Sequence, residues 1–79
     1  MLEREVKVGA IYKHFKGNIY EVLCIAKDSE TLEEKVVYNH VDNNEIWVRD
    51  INEFLSEVDH NKYPDIEQKY RFELIEKSR

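Results

Sequence analysis

From Gly9 onward, apolar and polar positions alternate as half-buried strands require. "AIYKHF" (10–15) and "IYEVLCIAK" (19–27) are rich in β-branched and aromatic residues and flank "KGNI". Gly17-Asn18 suits a two-residue hairpin turn of type II′ or I′. A second pair, "KVVYNHV" (35–41) and "EIWVR" (45–49), flanks "DNNE", where Asn43 and Asn44 tolerate the positive φ of a type I′ turn. The polar stretch "DSETLEE" (28–34) joins the two hairpins. After Arg49 the period changes: Ile51, Phe54, Leu55 and Val58 fall on one face of a short helical turn. Asp50 is placed to cap it, with Glu53 at the capping-box position. "DHNKYPD" (59–65) breaks regular structure at Pro64. In "KYRFELI" (69–75) the alternation of Tyr70, Phe72 and Leu74 predicts a last strand. Ile66, Tyr70 and Leu74 also match a helical stripe, so periodicity leaves 66–76 open between strand and helix.

These elements predict a mainly β protein, a small SH3-like bent barrel of about five strands with one short helical turn. The strands are too few for a sandwich, and a bent sheet buries both faces of "IYEVLCIA". Residues 1–7, "MLEREVK", read as a charged lead-in and residues 8–79 as one domain; 79 residues leave no room for a second core.

The turns predict which side chains share a face, because loop length sets the pairing. With Gly17-Asn18 at the turn centre, Phe15 opposes Tyr20, His14 opposes Glu21 and Tyr12 opposes Leu23. One face then carries Tyr12, His14, Glu21 and Leu23. The other carries Ile11, Phe15, Tyr20, Val22 and Cys24 and is expected to be core. In the second hairpin, Val41 opposes Ile46, His40 opposes Trp47 and Tyr38 opposes Arg49. Val37, Val41, Ile46 and Val48 form an apolar face, and Val36, Tyr38, His40, Trp47 and Arg49 share the opposite one.

Charge and cysteine usage narrow the class. A net charge of −5, with 12 basic residues dispersed along the chain, argues against nucleic-acid binding through phosphate neutralisation. Cys24 is the single cysteine, so it has no internal disulfide partner, and its apolar surroundings read as a small core residue. No apolar stretch reaches the length of a membrane span. A reducing cytoplasm is the expected location, with no membrane partner.

Candidate chemistry is sparse. His14 beside Glu21 could form a general base with its orienting carboxylate, or a surface ion pair worth under about 1 kcal/mol. His14, His40 and His60 do not share metal-ligand spacing, so no metal is expected. "KGN" is too short to cradle a phosphate, and nothing calls for a cofactor. Trp47 and Arg49 form either the lid of a barrel end, with Arg49 stacked on Trp47 or Tyr38, or a recognition surface. Ser29-Glu30-Thr31 reads as a turn closed by side-chain hydrogen bonds from Asp28 or Ser29, or as hydroxyls at a pocket mouth.

In order along the chain come Tyr12, His14, Phe15, Lys16 and Gly17; Tyr20 and Val22; Ser29, Glu30, Thr31 and Glu33; Val36, Val37 and Tyr38; Trp47, Val48 and Arg49; and Phe54. Over residues 8–58 this resembles the small bacterial domain of unknown function family 1653. Three places, covering four residues, depart from that pattern. Asp28 stands where the family usually has a histidine, Asp50 where proline is common, and Asn43-Asn44 where glycine is usual. The resemblance implies a small β-rich, SH3-like domain and no established activity. It also implies that polar pattern residues such as His14, Ser29, Glu30, Thr31 and Arg49 answer to something other than core packing.

The reading is therefore a binding module for a peptide segment or small anionic ligand, formed by Tyr12, His14, Ser29, Glu30, Thr31, Tyr38, Trp47 and Arg49. The alternatives are a small enzyme using His14 and Glu21, or a structural interaction domain acting as an oligomer with another protein or itself.

Overall fold

The computed structural model describes residues 5–76. Five strands, β1 (Ile11–His14), β2 (Ile19–Lys27), β3 (Glu34–His40), β4 (Ile46–Asp50) and β5 (Phe72–Glu76), form one antiparallel sheet in the order β4-β3-β2-β1-β5. A single helical turn, α1 (Ile51–Phe54), follows β4. The architecture is mainly β, as expected, but the bent sheet is not closed: β4 and β5 remain its two edges. They approach across the concave side, where Arg49 of β4 sets its guanidinium carbon 5.8 Å from the centre of the Phe72 ring of β5.

The first hairpin differs from its expected register. Ile11 opposes Glu21, Tyr12 opposes Tyr20 and Lys13 opposes Ile19. The loop has three residues, Phe15, Lys16 and Gly17. It is closed by the Gly17 amide donating to the His14 carbonyl at 2.8 Å and the His14 amide donating to the Asn18 carbonyl at 2.8 Å. Gly17 takes φ +102°, the left-handed position that ends such a loop and that glycine occupies without strain. The His14 Nδ1 also accepts the Lys16 amide at 3.1 Å, a local bond that draws Phe15 out of the strand. The shift is odd, so it exchanges faces: Tyr12, His14, Tyr20 and Val22 share the concave side, while Glu21 goes with Ile11 and Lys13. His14 and Glu21 are therefore on opposite faces, which removes the proposed acid–base pair.

A bulge in β2 then resets the alternation. Val22 opposes Tyr38 and Cys24 opposes Val37, leaving Leu23 as the extra residue. Cys24 is consequently exposed rather than buried, contrary to expectation. Ile25 returns to the concave side opposite Val36.

In the second hairpin the loop is Val41–Asn44, closed by His40 and Glu45, with Asn44 at φ +61°. Tyr38 opposes Trp47 and Val36 opposes Arg49. This register differs from the expected one by an even step, so the grouping of Val36, Tyr38, His40, Trp47 and Arg49 on one face holds. That face is the concave, core-side face: Val36 and Tyr38 are buried, whereas Ile46 and Val48 of the all-apolar face are exposed.

The core is Ala10, Tyr12, Val22, Val36, Tyr38, Phe54 and Phe72. Phe54 stacks on Phe72 with centroids 4.2 Å apart and meets Tyr12 and Tyr38 edge-on. The helical turn that delivers Phe54 is capped as expected, Asp50 Oδ2 accepting the Asn52 amide at 3.0 Å. Glu53 does not complete a capping box; its carboxylate lies 3.7 Å from an Arg49 amino group. The tail is a strand over Phe72–Glu76, preceded by an isolated bridge between Glu57 and Tyr70. Residues 1–4 of the lead-in lie outside the described residues, while Val6 packs against the core and the Lys7 amide donates to the Tyr12 hydroxyl at 2.9 Å. None of the described helices is long and apolar enough to cross a membrane.

Candidate functional site: a cationic cleft beside His14

The three-residue loop lays His14 and Phe15 at one mouth of the curved sheet. His14 rests edge-on against Phe72 at 4.9 Å and tilts over Phe15 at 4.4 Å. The segment between α1 and β5 folds across this end. It is held there by the Gln68 side-chain amide, which donates to the Lys13 and Tyr70 carbonyls at 2.9 Å each, and by the Phe15 amide, which donates to the Arg71 carbonyl at 3.0 Å. Tyr63 meets Phe15 with ring centroids 5.0 Å apart.

Between these walls lies a cleft of about 450 Å³, lined by His14, Phe15, Lys16, Asn18, Tyr20, Arg49, Asp59, Lys62, Tyr63 and Arg71. Four cations and one carboxylate border it. Arg49 donates through Nε to the Tyr38 hydroxyl at 3.3 Å and sits near Glu53, so its position is fixed by the core below it. Arg71 donates through Nε to Ser56 Oγ at 3.1 Å. The Lys16 ammonium hovers 5.7 Å from the Tyr63 ring centre and that of Lys62 5.5 Å. Among the described residues, Lys16, Lys62 and Arg71 form no ion pair. Asp59 already accepts the amides of Asn61 and Lys62 on Oδ1.

The positive field is felt by His14. Its pKa is lowered from 6.5 to about 4, first by desolvation and then by the charges of Arg49, Arg71 and Lys16. The Nδ1 atom that accepts the Lys16 amide must be unprotonated to do so, in keeping with a neutral ring. A neutral, weakly basic imidazole is poorly matched to proton abstraction near neutral pH. What the arrangement can do is hold an anion against two guanidinium groups and two ammonium groups.

Of the residues singled out from the sequence, His14 and Arg49 meet at this cleft. Tyr12 and Tyr38 are buried beneath it, with hydroxyls that bind the Lys7 amide and Arg49. Trp47 is half-exposed on the edge strand and does not line the cleft. Ser29, Glu30 and Thr31 form an exposed turn after the far end of β2, where Asp28 Oδ1 accepts the amides of Glu30 and Thr31 at 2.9 and 3.1 Å. That turn is closed as the structural reading expects, and it stands apart from the cleft. The sequence does not mark Lys16, Tyr20, Asp59, Lys62, Tyr63 and Arg71 as site residues, although Lys16 and Tyr20 stand in the family pattern, because they come from four separate segments that only the fold unites. No group of three or more His, Cys, Asp or Glu side chains able to hold a metal occurs among the described residues.

The family pattern described as a protein of unknown function, DUF1653, matches residues 10–74. The chain belongs to this family. The DUF1653 match extends past residue 58, where the resembling motifs end, taking in the cleft-closing segment with Lys62 and Arg71 and most of β5. Neither the curated proteins nor the solved structures contain a match.

Proposed function

We propose that this DUF1653 domain is a non-enzymatic binding module whose cleft beside His14 holds the phosphate or carboxylate of a small anionic ligand. The observation that carries this reading is the gathering of Lys16, Arg49, Lys62 and Arg71 around one cleft in a chain of net charge −5. Charge so placed against the overall balance costs self-repulsion, and a bound anion relieves it. Arg49 and Arg71 supply planar donors for paired oxygens, while Tyr63 and Phe15 offer an apolar wall for the rest of the ligand. A cytoplasmic setting suits the lone, exposed Cys24.

Calorimetric titration with inorganic phosphate and pyrophosphate tests the reading. Hydrogen bonds to charged groups contribute about 1.5–3 kcal/mol, so Arg71→Ala should weaken binding roughly tenfold or more without changing the fold. Lys62→Ala should weaken it less and reduce its salt dependence. Saturable binding that both variants leave untouched would place the ligand elsewhere.

A further inference from the structure

We infer that β4 is a self-association edge, where a second copy of this chain adds antiparallel across a two-fold axis through Trp47. Among the described strands β4 pairs with β3 alone, leaving one side open. Along that side Ile46, Trp47 and Val48 are 66, 50 and 62 % exposed, three consecutive large apolar residues. Open edges are normally blunted by lysine, proline or a bulge, and "IWV" has none of these.

The ladder on the β3 side sets what the open side can accept. The His40 amide donates to the Glu45 carbonyl at 2.9 Å, so His40 and Glu45 form a hydrogen-bonded pair. Antiparallel alternation then gives Trp47 and Arg49 their bonds to β3, and turns the amides and carbonyls of Ile46 and Val48 outward. An antiparallel neighbour must meet those outward groups. When the neighbour is the same strand, Ile46 can sit opposite Val48 and Val48 opposite Ile46. The register that does this also sets Trp47 against Trp47 and the Glu45 position against the Arg49 position, twice over. Each Glu45 carboxylate then meets the positive field of a guanidinium that its own chain holds against Tyr38 and Glu53. "EIWVR" is thus self-complementary in both hydrogen bonding and charge. A slip of two residues either way loses both charge pairs. The other edge, β5, carries only acidic charges along "FELIE" and has no such register. An interface of one short ribbon per copy is small, so the association belongs to the weak, concentration-dependent class.

Sedimentation equilibrium up to millimolar concentration tests this. The wild type should show a monomer–dimer equilibrium. Val48→Lys and Glu45→Arg, both at exposed positions, should raise the dissociation constant at least tenfold with unchanged circular dichroism. A wild type monomeric throughout the range, or a dimer insensitive to both substitutions, overturns the inference. Register is read by oxidative crosslinking in a Cys24→Ser background. Trp47→Cys places two thiols at a close pair with Cα atoms roughly 4.5 Å apart, inside disulfide range. Ile46→Cys leaves its two copies on a diagonal about 7–8 Å apart, beyond it. Covalent dimer from the first and not the second is expected; equal crosslinking, or crosslinking of Ile46→Cys alone, overturns the assignment.

Discussion

His14 belongs at once to the first turn, the aromatic core and the cleft, and acid should act on all three through it. Its folded pKa is about 4 against 6.5 for an unhindered ring. Above pH 6.5 the ring is neutral in both folded and unfolded chains, and stability does not depend on it. Between 6.5 and about 4 the unfolded chain takes up a proton that the folded chain refuses, so stability falls as pH falls. Fully buried, such a gap would amount to about 3 kcal/mol at 1.36 kcal/mol per pH unit. The ring is only half-buried, and solvent screening reduces this to about 1 kcal/mol. For a domain of this size that lowers the melting temperature by roughly 4–8 °C. The control is His14→Asn, whose side-chain oxygen can still accept the Lys16 amide but does not titrate. Urea unfolding of both proteins at pH 7 and pH 4.5 isolates the effect, since carboxylates common to both cancel in the difference. Asp28, held below the usual carboxylate range by the amides of Glu30 and Thr31, acts at lower pH still. The wild type should lose about 1 kcal/mol more than the variant over this interval. Equal losses, or an NMR titration of His14 centred near 6.5, would refute the desolvated, cation-flanked ring.

Phe54→Ala removes the ring stacked on Phe72 and should cost about 3–5 kcal/mol by chemical denaturation, a large share of the stability of so small a domain. Gly17→Ala meets no neighbouring atom within 4 Å yet must hold φ +102°, so it should destabilise by about 1–2 kcal/mol from backbone strain alone. Cys24 should react stoichiometrically with a thiol reagent in the native protein; protection until denaturant is added would contradict the bulge at Leu23.

Strand positions, the capped helical turn and the Asp28-closed loop follow from local chemistry, and the sequence carries it plainly. Faces were harder. Gly17-Asn18 reads as a two-residue turn, but Gly17 can equally end a three-residue loop, and the His14–Lys16 bond together with Phe15 packing on Tyr63 favours the longer form. That odd step brings Tyr12 and His14, rather than Ile11, to the core side with Tyr20 and Val22. The Leu23 bulge then turns Cys24 outward and Ile25 inward, and no periodicity displays either device. The same blindness hid the cleft. Lys62 and Arg71 are separated in sequence by turns and an irregular stretch. Long-range bonds such as the Gln68 side-chain amide to the Lys13 carbonyl and the Phe15 amide to the Arg71 carbonyl bring them to His14 and Arg49. Trp47 illustrates the reverse: its aromatic character suggested a ligand surface, whereas its place on an open edge points to strand addition.

The most direct test of the cationic cleft is an amide NMR titration of the full chain with pyrophosphate at neutral pH. Saturating shifts confined to Lys16, Asn18, Lys62, Tyr63 and Arg71, and abolished in Arg71→Ala, are the predicted result. Shifts that never saturate, or that gather instead around Ser29–Thr31 or Trp47, would contradict it.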